Sequence, residues 1–136
     1  MQRLFIDTDA VLDLLGEREP FYMPMALLAT QADRGKVKFV TSSLTFATAY
    51  YVLSKHENAE IAKDKLRKFK VICKICPVSE ADVEKGLNSS FADFEDALQY
   101  FCALAANCDI IITRNGKDFK NSSIPVMTAD EYLKSL

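Results

Sequence analysis

Five short apolar runs alternate with stretches of helical spacing along the chain, and this alternation limits the fold more than any other feature. The runs are Arg3–Asp7, Lys36–Thr41, Lys70–Cys76, Asp109–Thr113 and Ile124–Met127. Strands separated by helices imply βαβ units and a mainly parallel sheet covered on both faces. The pattern therefore predicts an α/β protein, a three-layer α/β/α sandwich around a mainly parallel, about five-stranded sheet. Pro125 confines the last run to an edge. Helices are expected over Ala10–Leu15, from Pro20 to Gly35, over Leu44–Ser54 with Ser42 or Ser43 as cap, and over Glu57–Phe69. Others should begin at Ser79-x-x-Asp82, run over Phe91–Asn107 from a Ser90 cap, and begin at the capping box Thr128-x-x-Glu131.

The 136 residues, 49% hydrophobic, predict one domain over 1–136 with a substantial core. Lys and Arg number 17 against 19 Asp and Glu, a formal charge of −2. That excludes coating nucleic acid by bulk positive charge, though not binding it through a local basic patch. The apolar run Leu4–Ile6 stops at Asp7, too short for a signal segment, and no run approaches the roughly 18 apolar residues of a membrane span. A soluble, cytoplasmic protein is expected. Cys73 and Cys76 have zinc-knuckle spacing but sit in a predicted strand, where residues three apart face opposite sides, so thiol packing is the reading for all four cysteines.

In a parallel sheet the functional crevice lies beyond the carboxyl ends of the strands. Acids collect there. Asp7 and Asp9 end the first run, Asn115 and Asp118 follow the fourth, and Asp93, Glu95 and Asp96 open the helix that feeds it. Beyond Asp96 that helix is apolar almost all round, with only Gln99 interrupting it, so its acids are displayed at one end, on the rim of the sheet. Asp93 reads equally as a capping-box acid, and Asp9 equally as a cap for the helix at Ala10. Glu95 lies about 100° round the axis from its neighbours and does not easily converge with both Asp93 and Asp96. Asp13 is expected to be solvated. Carboxylates gathered in one crevice repel each other unless a hard cation joins them. Oxygen donors without Cys or His suit Mg²⁺ or Mn²⁺, which can activate water at a phosphodiester.

The segment Phe5-Ile-Asp7-Thr-Asp9-Ala-Val-Leu-Asp13 resembles the opening of PIN domains, and Asp93-Phe-Glu95-Asp96-Ala-Leu-Gln resembles their central acidic motif. Ile111-Ile-Thr113-Arg114-Asn115-Gly-Lys117-Asp118-Phe119 is similar to their last motif, Ile124-Pro-Val-Met-Thr128 to their ending, and Arg18-Glu-Pro20-Phe-Tyr to one bacterial subgroup. The resemblance implies a PIN fold and Mg²⁺- or Mn²⁺-dependent cleavage of RNA. It also implies that the chain is a VapC-type toxin held by an antitoxin, and a homodimer. It assigns Asp7, Asp96 and Asp118 to the metal, with Asn115 and Asp93 beside them in catalysis and Asp9 as a further acid near the mouth. Typical members carry a Glu on the helix after the second strand. Here Thr48 stands in its place, able to hold a metal-bound water but not to add charge.

On the substrate side, Lys63-Asp-Lys65-Leu-Arg67-Lys68-Phe-Lys70 is either a solvated helix face or a phosphate track, with Arg114 and Lys117 closer to the scissile group. His56 reads as a surface residue. Tyr50, Tyr51, Phe46, Phe21, Tyr22, Met23 and Met25 are mostly core, with some left for a dimer face or an antitoxin groove. Two functions follow: a metal-dependent endoribonuclease toxin, or a catalytically weak or inactive PIN module that binds RNA or a protein partner.

Overall fold

A computed structural model describes residues 1–136. Its sheet is parallel throughout, in the order β3-β2-β1-β4-β5. The strands are β1 (Arg3–Ile6), β2 (Lys38–Ser42), β3 (Cys73–Cys76), β4 (Ile110–Ile112) and β5 (Val126–Met127). Seven α-helices connect and cover them: α1 (Thr8–Leu15), α2 (Tyr22–Asp33), α3 (Ser43–His56), α4 (Ala59–Ile72), α5 (Glu80–Leu87), α6 (Phe94–Ala105) and α7 (Ala129–Lys134).

Alternation along the strands builds two cores. Leu4, Ile6, Phe39, Cys73, Ile110 and Ile112 face one side, where Val11, Leu28, Leu53, Leu66 and Tyr132 of α1, α2, α3, α4 and α7 cover them. Phe5, Val40, Cys76 and Ile111 face the other, packed by Tyr100, Cys102 and Ala103 of α6. This is the three-layer α/β/α arrangement that the alternating pattern predicts. Cys73 and Cys76 fall into different cores, as residues three apart on a strand must.

Several boundaries shift for local reasons. The third strand begins at Cys73, not Lys70, because the stripe Ala62, Leu66 and Phe69 keeps α4 helical through Ile72; Phe69 packs against Phe39 and Phe46. The second helix begins at Tyr22, not Pro20. Helix α6 is capped by Asp93, not Ser90, whose hydroxyl instead meets the Asn121 amide at 3.2 Å.

From β1 the chain steps to β2 and β3 on one side, then crosses to β4 on the other. The carboxyl ends of β1 and β4 therefore flank the point where the winding reverses, the crevice such sheets offer a ligand. No helix is long and apolar enough to cross a membrane.

Candidate active site

Asp7 is the first residue beyond β1. Its amide donates to the Ile112 carbonyl at 3.0 Å, and its own carbonyl accepts from the Val11 amide, so one residue ends the strand and opens α1. The side chain is only 6% exposed. Its Oδ2 accepts from the Thr113 hydroxyl at 2.9 Å, and the same hydroxyl oxygen accepts from the Asn115 amide at 3.1 Å. Burial pushes the Asp7 carboxyl up to about 6, although hydrogen bonds from Thr113 and the Thr8 amide pull the other way.

Asp96 arrives from the opposite layer. Asp93 holds the helix start, its Oδ1 accepting from the Asp96 amide at 3.0 Å, which aims the first turn of α6 at the rim of the sheet. Partial burial raises the Asp96 carboxyl to about 7, with further contributions from Asp93, Asp7, Asp118 and Glu95 in that order. Those four neighbours come from three separated stretches of chain, so Asp96 senses one shared negative field.

That field fills a cleft of about 440 Å³, lined by Asp7, Thr8, Asp9, Leu12, Arg18, Thr48, Val52, Asp93, Glu95, Asp96, Gln99 and Asp118. Of the sequence-predicted site residues, Asp7, Asp9, Asp93, Asp96, Asp118 and Thr48 line it. Asn115 stands just behind, its side-chain amide donating to Asp9. A short 3₁₀ turn, Gly116–Phe119, brings Asp118 to the rim and leaves Lys117 exposed, outside the cleft lining. Arg114 turns away. Its guanidinium grips both oxygens of Asp13 at 2.6 and 3.1 Å and lies 4.0 Å from the centre of the Phe21 ring, bordering a separate cavity of about 410 Å³.

Asp13 is thus not solvated. It is 1% exposed, and its buried charge is met by Arg114 from the loop after β4. Asp9 does not cap α1; it sits in the first turn, with Asp7 at the cap position. Glu95 does join the cleft, because Thr48 on α3 offers its hydroxyl at 3.5 Å, within reach of a long side chain. The basic run on α4 contributes nothing to the cleft lining, and three of its cations are paired: Lys63 with Glu60, Lys65 with Glu57 and Arg67 with Asp64.

The floor of the cleft is a polar network that the sequence signalled only as a single Gln in an apolar helix. Gln99, one turn below Asp96 and 1% exposed, donates to Thr8 at 3.0 Å and to Thr45 at 2.6 Å, and accepts from Ser42 at 2.5 Å. It ties α6 to α1 and α3 immediately beneath the acids. Thr113 and Arg18 are two further site residues; both stand inside motifs that resemble PIN domains, but neither received a role from the sequence. A β-branched residue closing a strand, and an Arg in a loop, carry no separate signal.

Every charged ligand the cleft offers is a carboxylate; no His or Cys lines it. No three acids close tightly enough to chelate an ion by protein atoms alone. Such a donor set fits a small hard cation that keeps several waters and takes one or two carboxylates, the habit of Mg²⁺. Asp7 and Asp96, whose charged forms are disfavoured by burial and by neighbouring carboxylates (Asp9 for Asp7, Asp93 foremost for Asp96), are the carboxylates that gain most from a cation.

Residues 3–117 match the family model of the PIN domain. Ribonuclease VapC1 of Aquifex aeolicus (strain VF5) is 32% identical over 138 residues, covering 96% of this chain and 93% of that protein. VapBC2 from Rickettsia felis, solved bound to a DNA fragment from their promoter, superposes with a TM-score of 0.68 at 20% identity, over 93% of this chain and 98% of that one. The sarcin-ricin loop cleaving toxin VapC20 of Mycobacterium tuberculosis also gives a TM-score of 0.68, at 12% identity, over 85% of this chain and 92% of that one. The parallel sheet, the acids at its winding reversal and the match over most of the sequence agree: the chain belongs to the PIN domain family.

Proposed function

We propose that this chain is a metal-dependent endoribonuclease that hydrolyses RNA phosphodiester bonds, the toxin of a toxin–antitoxin pair. The observation that carries the reading is the convergence of Asp7, Asp9, Asp93, Glu95, Asp96 and Asp118, from three parts of the chain, on one cleft at the carboxyl end of the sheet. Acids held this close without a structural counter-ion cost stability, and a site for a cation offsets that cost. The relative named Ribonuclease VapC1, 32% identical to this chain, supports the nuclease reading. The VapBC structures of the same fold support an antitoxin partner.

Asp7 and Asp96 would hold Mg²⁺ or Mn²⁺, and Asp118 at the rim would act on the ion's waters. When bound, the ion would supply Lewis-acid stabilisation of phosphoryl oxygens and acidify a water. Thr113 fixes the rotamer of Asp7 by its hydrogen bond. Asp93 fixes the start of α6 and so the position of Asp96. Asn115 holds Asp9, and Thr48 with Glu95 offers a hydroxyl and a carboxylate to water on the α3 side of the cleft. Lys117 is exposed beside Asp118 and free to approach a phosphate. Arg114, engaged by Asp13, acts by bracing α1 against the loop after β4.

Met23 and Leu27, one turn apart on α2 and 55% and 53% exposed, support a homodimer or antitoxin contact on that face. The second reading, a module that binds RNA or protein without cutting, draws on the absence of a three-acid chelate and on Thr48 standing where typical members carry Glu. One experiment separates them. Purified protein incubated with RNA should cut only when Mg²⁺ or Mn²⁺ is added, and Asp7→Asn and Asp96→Asn should each abolish cutting. Undiminished cutting by both variants removes the assigned site; RNA binding with neither Mn²⁺ uptake nor cutting selects the second reading.

A further inference from the structure

The acidic cleft does not end at its acids. It shares Leu12, Arg18 and Val52 with a neighbouring groove of about 250 Å³ between the end of α1 and the end of α3. Beyond the shared residues the groove runs to His56, past Leu53 and Glu57. Arg18 stands at the junction.

Its charge is unspent. Asp13, the one acid Arg18 approaches, is 3.9 Å away and already gives both oxygens to Arg114. One carboxylate against two guanidinium groups leaves a net positive charge, and Arg18 makes no ion pair with any acid of the cleft. Its backbone is fixed at both ends, the amide donating to the Asp13 carbonyl at 3.0 Å and the carbonyl accepting from Phe21 at 2.9 Å. Around a cleft lined by six carboxylates, Arg18 is the only cationic side chain.

We propose that the groove beyond Arg18 is the path along which the RNA strand continues from the cleft, with Arg18 binding the phosphate next to the one that is cut. The inference rests on the ribonuclease reading above and adds to it a direction and a contact. A polyanion is repelled least along the side of an acidic cleft whose lining carries a cation; Arg18 is that cation, whereas Lys117 stands outside the lining beside the acid Asp118. A guanidinium gives a phosphate two parallel hydrogen bonds. Past it, Leu12, Val52 and Leu53 give an apolar floor and the exposed His56 ring a surface on which a base can stack. The basic face of α4 lines neither the cleft nor this groove, and three of the five cations in its run are already paired.

The test is binding of a labelled single-stranded RNA in the uncut Asp96→Asn background, by fluorescence anisotropy across a salt series. Adding Arg18→Gln should weaken binding roughly tenfold and reduce the salt slope by about one phosphate contact. Arg18→Lys should keep the slope. Val52→Trp, which narrows the junction without touching charge, should weaken RNA binding in that background, and in the protein that keeps Asp96 it should leave Mn²⁺ affinity by calorimetry unchanged. If Arg18→Gln folds but binds RNA with unchanged affinity and slope, the path is overturned, whether or not an antitoxin complex is weakened. If Arg18→Gln does not fold, Val52→Trp decides alone: unchanged RNA binding overturns the path. A wild-type protein that neither binds nor cuts RNA overturns the ribonuclease reading itself, a result distinct from loss of the groove alone.

Discussion

Asp7 is poised between two opposed demands. Burial makes its charge costly, while a hydroxyl and a main-chain amide make it tolerable. Thr113 is the adjustable part, because its Oγ1 both donates to Asp7 and accepts from the Asn115 amide. Thr113→Val keeps the shape of a buried side chain and removes both bonds. It should weaken Mn²⁺ binding by about 10–100-fold, the usual effect of losing a ligand's supporting hydrogen bond, with calorimetry as the measurement. Thr113→Ser should restore most of the affinity; if Thr113→Val binds Mn²⁺ like the parent, Thr113 does not orient the carboxylate. Asp13 illustrates what a sequence hides at this scale. Its burial depends on Arg114, a partner 101 residues away, so no local pattern could distinguish it from a solvated helix acid.

At the scale of elements, α6 carries the site because its first turn must be both a cap and a ligand platform. Asp93 caps it while adding to the charge that raises Asp96. These roles separate by substitution. Asp93→Ala removes the cap and should cost about 1 kcal/mol, lowering Tm by roughly 2–4 °C. Asp93→Ser keeps an acceptor for the Asp96 amide and removes the charge, so its Tm should match or exceed the parent's in chelator. Equal losses in both variants would mean that the carboxylate charge itself stabilises the helix start. The strands and the order of the helices were legible because periods of two and of three to four residues do not depend on partners. The start of α6 was not. The sequence reads Ser90 as the cap with Asp93 as its capping-box acid, whereas in the structure Asp93 is itself the cap, accepting from the Asp96 amide. Glu95 was also misread: helical angle describes where a side chain leaves the axis, and Thr48 meets its far end.

Across the whole molecule, the parallel sheet concentrates carboxylates at one edge, and stability should record this as a pH dependence. Asp7 and Asp96 hold protons more tightly folded, at about 6 and about 7, than at the ordinary 3.8. A raised carboxyl favours the folded state while it is protonated, so the penalty is absent below about pH 4, grows through pH 6 to 7 and stands in full above. For the buried Asp7 that penalty is on the order of 3 kcal/mol. In chelator, Tm should therefore fall between about pH 5 and pH 8. Asp7→Asn should flatten the fall and melt above the parent at pH 8. Mn²⁺ should raise the parent's Tm more at pH 8 than at pH 5, because binding to the folded state requires the deprotonated acids, and should do little for Asp7→Asn. A parent Tm that is flat across this range, or a Mn²⁺ effect that survives Asp7→Asn undiminished, would mean that the cleft's charge is neutralised in some other way. A protein that is less stable for keeping its acids together, and recovers with a cation, spends folding stability to hold a site ready.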